Sequence, residues 1–169
     1  MGVTPGEQDP EAFVSSIREP LVRSLTLFTG DPFVAEEVAH DALVRALERW
    51  DEVSGFDRPD AWVYRVGFNR ARSRFRSRAA ERRALRRVDS ADSVEPEDRE
   101  QAIEIRRALQ VLSSRQRSVL ILRFYLDYSV EDTASALGLA GGTVKAHTHQ
   151  ALEKLRAQSS VLEETWIDE

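Results

Sequence analysis

The sequence predicts an all-α protein made of two small helical domains that are joined by a flexible acidic linker. Apolar residues recur at helical spacing along most of the chain, and no segment shows the alternation of apolar and polar residues that is typical of a strand. Residues 88–101 carry six acidic side chains against one arginine, so they cannot bury enough apolar surface to fold alone. The domains are therefore predicted over residues 10–87 and 102–158, with an acidic tail over 159–169, and we expect them to be separate in the free protein.

Three helices are predicted in the first domain. The apolar face of the first helix comprises Phe13, Ile17, Leu21, Leu25 and Phe28. Gly30 ends this helix, and Asp31 with Pro32 supplies an N-cap and a first-turn proline for the second helix. The apolar stripe of the second helix comprises Val38, Ala42, Ala46 and Trp50. A polar, glycine-containing loop is predicted over residues 51–60, and Pro59 opens a third helix that turns steadily basic toward its end.

The second domain is predicted to begin with a short amphipathic helix. The apolar residues of this helix are Ile105, Ala108, Leu109 and Leu112. Ser113 and Gln116 then form a capping-box pattern, which predicts the start of a further helix that continues through Val119 to Phe124. This helix leads directly into the last part of the domain.

Residues 129–156 are typical of a helix-turn-helix. Ser129 with Asp132 predicts the start of its first helix, and Gly138 is placed to end that helix in a left-handed turn. Thr143 is predicted to cap the second helix. The apolar face of the second helix comprises Val144, Ala151, Leu152 and Leu155. The polar face of this helix is the candidate reader of a DNA groove.

A strongly basic segment lies at the end of the first domain. Between Arg70 and Arg87 the chain has nine arginines and a single acid, Glu81, although the formal net charge of the whole chain is −5. One interpretation is a solvated helix face. However, the segment has almost no acidic partners for salt bridges between helix turns, and this favours a polyanion such as nucleic acid as its partner.

No catalytic residue, metal site or cofactor site is predicted. The chain has no cysteine, so it can build neither disulfides nor a thiolate zinc site. His147 and His149 are two positions apart and point to different faces of a helix. No nucleophile, histidine and acid set occurs, which argues against an enzyme. No apolar run reaches membrane-spanning length and the N-terminus lacks signal-peptide features, so we expect a cytoplasmic protein without membrane insertion.

The order of these parts resembles that of the extracytoplasmic-function sigma factors, the smallest members of the sigma-70 family of bacterial transcription initiation subunits. Residues 30–50, GDPFVAEEVAHDALVRALERW, look like region 2.2, and residues 60–76, DAWVYRVGFNRARSRFR, look like regions 2.3 and 2.4. Residues 109–156 are similar to region 4, and residues 142–145 are the most specific stretch. The resemblance implies an alternative sigma factor that gives core RNA polymerase promoter specificity and strand-opening ability.

The resemblance also implies three sets of site residues. The minus-10 element would meet Phe56, Trp62, Tyr64, Arg65, Asn69, Arg72 and Arg76. Within this set, Asn69 and the 51–60 loop, including Phe56, would form the pocket for a flipped base, and the three arginines would contact the DNA backbone. The minus-35 element would meet Arg123, Thr143, Lys145, Ala146, His147 and Gln150. The β′ clamp helices of the polymerase would dock on Glu37, His40, Asp41 and Arg45. The β flap would touch region 4, and the family often has an anti-sigma factor as a further partner.

The chain departs from the family pattern at several positions. His147 and Gln150 stand where arginines are usual in the recognition helix, so two arginines expected on its DNA-facing side are absent. Ser73 replaces a common aspartate, and His40 stands where glutamine is usual. Two other functions remain open on the residues alone. One is a self-sufficient regulator that uses only the helix-turn-helix, and the other is an adaptor that binds polymerase without directing initiation.

Overall fold

The computed structural model describes residues 9–84 and 99–167, with side chains over 9–74 and 103–158. All regular secondary structure in these residues is helical, which confirms the predicted all-α fold class. The first domain comprises α1 (Pro10–Thr29), α2 (Pro32–Glu48), α3 (Trp50–Val53) and α4 (Pro59–Ala84). The second domain comprises α5 (Arg99–Gln110), α6 (Ser114–Leu120), a π-helical turn (Ile121–Tyr125), α7 (Val130–Leu137) and α8 (Gly141–Ile167).

Local capping forms the hairpin of α1 and α2 as the sequence predicts. Gly30 has a φ of 74°, and its N–H donates to the carbonyl of Thr26 (2.8 Å), so α1 ends in a left-handed conformation that favours glycine. The carboxylate of Asp31 accepts from the backbone N–H groups of Phe33 (2.9 Å) and Val34 (3.3 Å) at the start of α2. The buried face of α1 packs along both α2 and α4.

Residues 51–60, which were predicted to form a loop, begin with the helical turn α3 instead. The N–H of Val53 donates to the carbonyl of Arg49 (2.9 Å), and the Val53 side chain is fully buried. Burial of this one apolar side chain, in a segment that is otherwise mostly polar in sequence, stabilises the turn. Loop composition does not reveal such an anchor.

The linker and the tail contain more helix than predicted. α5 begins at Arg99, so the last three residues of the predicted linker 88–101 are helical, and residues 85–98 lie outside the described part of the chain. α8 runs to Ile167, so most of the predicted tail continues the helix of the second domain.

The recognition helix begins earlier than predicted. Thr143 is not an N-cap, because α8 already begins at Gly141. The carbonyl of Ala140 accepts from the N–H groups of Thr143 (3.0 Å) and Val144 (3.1 Å), which places both residues within the first helical turn.

The two domains pack against each other, whereas the sequence predicted them to be separate in the free protein. One buried cluster joins apolar side chains of α1, α2 and α4 to Ile121, Tyr128 and Ala136 of the second domain. Arg117 of α6 adds a polar link, because its Nη1 donates to the carbonyl oxygen of Phe28 near the end of α1 (2.6 Å). Sequence periodicity assigns each residue to its own helix face and carries no signal of a partner far along the chain.

The π-helical turn after α6 creates part of this contact. The N–H of Leu126 donates to the carbonyl of Ile121, five residues earlier (3.0 Å), and Asp127 then adopts a φ of 54°. Aspartate tolerates this left-handed conformation better than most residues. The chain thereby turns so that the hydroxyl of Tyr128 donates to the carboxylate of Asp60 at the start of α4.

Candidate nucleic-acid interface

A pocket of about 560 Å³ lies between the loop after α3 and the first turns of α4. From the first domain its lining includes Phe56, Trp62 and Arg65, three of the residues predicted for the minus-10 site. Three of the seven predicted residues thus line one cavity, which we call the loop pocket. One wall of the loop pocket comes from α7 of the second domain, through Asp132, Ser135 and Ala136.

The aromatic residues of the predicted minus-10 set differ in accessibility. Phe56 is 38% exposed at the pocket, and Trp62 is half-buried, with the guanidinium carbon of Arg49 5.8 Å from its ring centroid. Trp62 thus combines a core contact with a position on the pocket wall. Tyr64 is only 4% exposed because its ring packs with Phe68 and meets the edge of Tyr128, so the structure does not place it at the pocket.

Asn69 lies beside a second cavity, a cleft of about 410 Å³ between α2 and α4. The side-chain oxygen of Asn69 accepts from Nη2 of Arg72 (3.1 Å), which fixes the orientation of the side-chain amide. Arg45 of the predicted polymerase-binding set lines the same cleft. The structure therefore separates Asn69 from the loop pocket and groups it with Arg45. Arg76 lies in α4, but its side chain falls outside the described residues.

The other predicted polymerase-binding residues lie on α2. The carboxylate of Asp41 accepts from Arg70 of α4 (2.6 and 3.1 Å), and Glu37 forms an ion pair with Arg74. These two acids therefore hold α2 against α4, while His40 is exposed. Their role in polymerase binding stays a prediction.

Sequence reasoning missed an exposed apolar part of α2. Phe33 is 74% exposed, Leu47 is 44% exposed and Val44 also reaches the surface. Val44 and Leu47 are three positions apart on one face of α2, and neighbouring exposed apolar side chains are typical of a protein-binding surface. The signal was present in the helical spacing of these residues, which places them outside the buried stripe.

The second domain presents the polar face of α8 to solvent. Thr143, Lys145 and Ala146 are exposed, while Val144 and Ala151 are fully buried, as the predicted apolar face requires. Gly138 ends α7 with a φ of 63°, which confirms the predicted left-handed turn. The geometry is that of a helix-turn-helix whose second helix has an accessible N-terminal half.

The remaining predicted minus-35 residues have protein contacts. His147 is half-buried, and the side-chain oxygen of Gln150 accepts from the side-chain amide of Gln116 (3.3 Å). Arg123 is half-buried and donates to the carbonyl of Tyr128, so it supports the turn before α7. Contact of these three with DNA stays a prediction.

His149 is missing from the predicted set although its side chain is 72% exposed on α8. It lies three residues after the exposed Ala146, on the same helix face. The spacing of the buried residues of α8 alone places His149 on the polar face with the predicted minus-35 residues.

Arg58 and Asp60 lie where the loop pocket meets the second domain. Nε and Nη2 of Arg58 donate to the two oxygens of Asp60 (3.0 and 2.8 Å). Burial acts to raise the pKa of Asp60, but the hydrogen bonds from Arg58 and Tyr128 lower it by more than burial raises it. The pKa of Asp60 therefore lies below its usual value. The stabilisation from this carboxylate is therefore complete above its unfolded pKa of about 3.9 and is lost as the pH falls through the lower folded value.

Among the described residues, no group of three or more histidine, aspartate or glutamate side chains is arranged to hold a metal ion. The same part of the chain contains no helix that is both long and apolar enough to cross a membrane.

Comparison with known proteins gives concordant matches over both domains. The family model described as Sigma-70 region 2 matches residues 13–81, and the model described as Sigma-70, region 4 matches residues 102–155. The chain is 36% identical over 152 residues to the RNA polymerase sigma-E factor of Streptomyces avermitilis, covering 88% of this chain and 83% of that protein. It is 33% identical over 135 residues to the ECF RNA polymerase sigma factor SigL of Mycobacterium tuberculosis, covering 76% of each.

The fold is also similar to solved sigma factor structures. The sigma factor RpoE of Bartonella quintana, in complex with the anti-sigma factor NepR, matches with a TM-score of 0.77 at 23% identity. The match covers 89% of this chain and 96% of that one. CnrH, in complex with the cytosolic domain of CnrY, matches with a TM-score of 0.68 at 22% identity over 90% and 88% of the two chains.

Matches to both Sigma-70 regions, in this order along one helical chain that ends in a helix-turn-helix, define a DNA-binding protein of transcription initiation. The chain belongs to the sigma-70 family, within its extracytoplasmic-function group. It is an alternative sigma factor, the subunit that directs RNA polymerase to promoters and allows transcription to start.

Proposed function

We propose that this sigma factor divides its task among three surfaces. The exposed face of α2 docks on the β′ clamp helices, the loop pocket and α4 capture the opened minus-10 strand, and the polar face of α8 reads the minus-35 element. The observation that carries the proposal is the loop pocket, where Phe56 and Trp62 lie beside Arg65. Aromatic surface next to cations is what an unstacked base and its phosphate require.

The proposal also states where the protein acts and that it has no catalytic activity of its own. The protein would act in the cytoplasm with core polymerase and would catalyse nothing itself. The domain boundaries of the proposal are residues 10–87 and 102–158. An anti-sigma factor is a proposed further partner, supported by the structural similarity to RpoE in its complex with NepR.

Initiation in a purified system tests the whole proposal. Core polymerase with this protein should start transcription from a subset of a random promoter pool, and core polymerase alone should not. Binding to DNA without any association with polymerase would instead indicate a self-sufficient regulator. Binding to polymerase without initiation would indicate an adaptor.

Leu47→Asp should weaken assembly with core polymerase by about 10-fold. The substitution places a charge on a 44% exposed apolar side chain, and loss of apolar contact with burial of a charge at an interface costs on the order of 1 to 2 kcal/mol. Titration of labelled protein with core polymerase measures the change. Ala12→Asp, which adds the same charge at an exposed position of α1, is the control. Equal effects of the two substitutions would contradict the proposed role of α2.

Lys145→Ala should weaken promoter binding by the holoenzyme and lower the slope of log K against log salt by about 0.9. This is the value for the loss of one phosphate contact on duplex DNA. Arg156→Ala removes an exposed cation three turns further along α8 and should leave the slope unchanged. Titrations over a salt series distinguish the two. An unchanged slope for Lys145→Ala would place the N-terminal half of α8 away from the phosphates.

A further inference from the structure

Arg58 lines the loop pocket and lies outside all three predicted sets of site residues. Two of its nitrogens are held by Asp60, and its third, Nη1, lies 3.1 Å from Oδ2 of Asp132 in α7. Asp60 belongs to the same domain as Arg58, whereas Asp132 belongs to the other. The guanidinium also stacks on Tyr128 of the second domain, with 4.4 Å to the ring centroid. The guanidinium of Arg58 therefore contacts both domains.

A second arginine of the pocket meets the other end of α7. Arg65 lies next to Gly138, where an added Cβ would be 3.6 Å from the Arg65 Nη2. The C-terminal end of a helix carries partial negative charge, so it attracts a cation. α7 thus offers a carboxylate at its first turn to Arg58 and a negative helix end to Arg65.

This arrangement places α7 where a captured strand would lie. Asp132, Ser135 and Ala136 form one wall of the loop pocket, so in this arrangement the pocket is shared between the two domains. The minus-10 and minus-35 elements are about 25 base pairs apart by position, which is roughly 85 Å at 3.4 Å per base pair. Domains in direct contact cannot occupy both elements. Promoter binding must therefore remove α7 from the pocket.

Removal of α7 changes the surroundings of Arg58 in a defined way. Asp60 stays and keeps two nitrogens of the guanidinium oriented. Nη1 loses the carboxylate of Asp132 and is left at the edge of a pocket that receives a nucleotide. An arginine nitrogen in this position is suited to a phosphate oxygen.

We infer that Arg58 binds a phosphate of the captured minus-10 strand, and that Asp132 occupies the place of this phosphate in the free protein. The inference rests on the proposed function of the loop pocket. It makes Arg58 a DNA ligand that is exchanged between two anions, one from its own chain and one from the promoter. α7 therefore competes with the minus-10 strand, while the exposed N-terminal half of α8 does not take part in this competition.

The first test uses the holoenzyme with a single-stranded minus-10 template. Arg58→Gln should lower the salt slope of binding by about 0.7, the value for one phosphate contact on a single strand. Arg23→Gln, which removes an exposed cation from α1, should leave the slope unchanged. Arg58→Lys keeps the charge and should restore most of the slope. A slope for Arg58→Gln equal to that of the Arg23→Gln control would overturn the inference.

The second test uses the free protein and the same oligonucleotide. Asp132→Asn should strengthen binding by about 2- to 5-fold, because an ion pair at the protein surface is only weakly stabilising. Glu131→Gln is the matched control, because it removes the same charge from an exposed neighbour in the same helical turn. The excess gain should vanish when Arg58→Gln is also present. Equal gains for both substitutions would show that only net charge matters and would contradict the exchange.

Failure of the proposed function gives a different result. If Trp62→Ala and Phe56→Ala open promoters at the wild-type rate, the assignment of base capture to the loop pocket is itself wrong. If those two variants are defective while Arg58→Gln keeps the full salt slope, strand capture stands and only the role of Arg58 is wrong.

Discussion

Arg117→Gln is expected to lower the free energy of unfolding by about 3 kcal/mol, which corresponds to a fall in Tm of roughly 6 to 12 °C. The Arg117 guanidinium is 7% exposed and donates to the carbonyls of Leu109, Gln110, Leu112 and Phe28. Burial lowers the pKa of Arg117, but the group has these carbonyl oxygens as compensation. Glutamine cannot reach all of them, so buried acceptors at the end of α5 and near the end of α1 would lose their donor.

The effect should extend across the contact between the domains. Hydrogen exchange at the end of α1 should speed up in Arg117→Gln, because the carbonyl of Phe28 loses its link to α6. Arg115→Gln, two residues earlier and only half-buried, should change Tm by less than about 2 °C. Similar melting of both variants would mean that the carbonyl contacts of Arg117 do not hold the domains together.

Asn69→Ala is expected to reduce minus-10 selectivity by roughly 5- to 150-fold while leaving assembly with core polymerase intact. A specific contact to a base contributes on the order of 1 to 3 kcal/mol. The side-chain oxygen of Asn69 accepts from Arg72, which leaves the side-chain nitrogen to donate to an acceptor on a base edge. Alanine removes this donor without touching the ion pairs that join α2 to α4.

Open-complex formation on promoters that differ at single minus-10 positions measures this prediction. Ser73→Ala is the control, since Ser73 lines the same cleft one turn further along α4. The control should keep the selectivity of the wild type. Asn69→Ala with an unchanged preference at every minus-10 position would remove Asn69 from the base-reading set and leave it as a support for Arg72.

The contact between the domains also bears on the order of promoter recognition. In the structure the loop pocket is walled by α7, whereas Lys145 and Ala146 of α8 are exposed. The minus-35 surface is thus accessible in this arrangement, while the loop pocket is still bounded by the second domain. Simultaneous binding to both promoter elements would have to separate the domains.

Most local features of the fold followed from the sequence. Ser113 and Gln116 form the reciprocal hydrogen bonds of a capping box, and Gly138 ends α7 in the left-handed conformation. Such features depend on residues three or four positions apart, whose chemistry is legible without knowledge of the fold. The same is true of the buried face of α8, where helical spacing identified Val144 and Ala151.

The candidate site was predicted only in part. Resemblance to the family placed Phe56, Trp62 and Arg65 together, and a cavity joins these three residues. It also placed Tyr64 in the minus-10 set, but packing against aromatic neighbours buries that ring. It grouped Asn69 with Phe56 in one pocket, whereas Asn69 lies beside a separate cleft. A motif gives the position of a residue along a helix, whereas accessibility depends on what the rest of the chain places on it.

The sequence by itself determined the all-α class, the capped ends of α1 and α7, the helix-turn-helix and the membership of the sigma-70 family. Only the tertiary structure decided that the domains share a core, that Arg117 reaches the carbonyl of Phe28 and that Asp132 pairs with Arg58. The physical reason is range. A cap or an apolar stripe is fixed by neighbours within one or two turns, while the Arg117–Phe28 and Asp132–Arg58 contacts join residues 89 and 74 positions apart. Their partners are selected by the three-dimensional complementarity of whole helices, for which no local pattern exists.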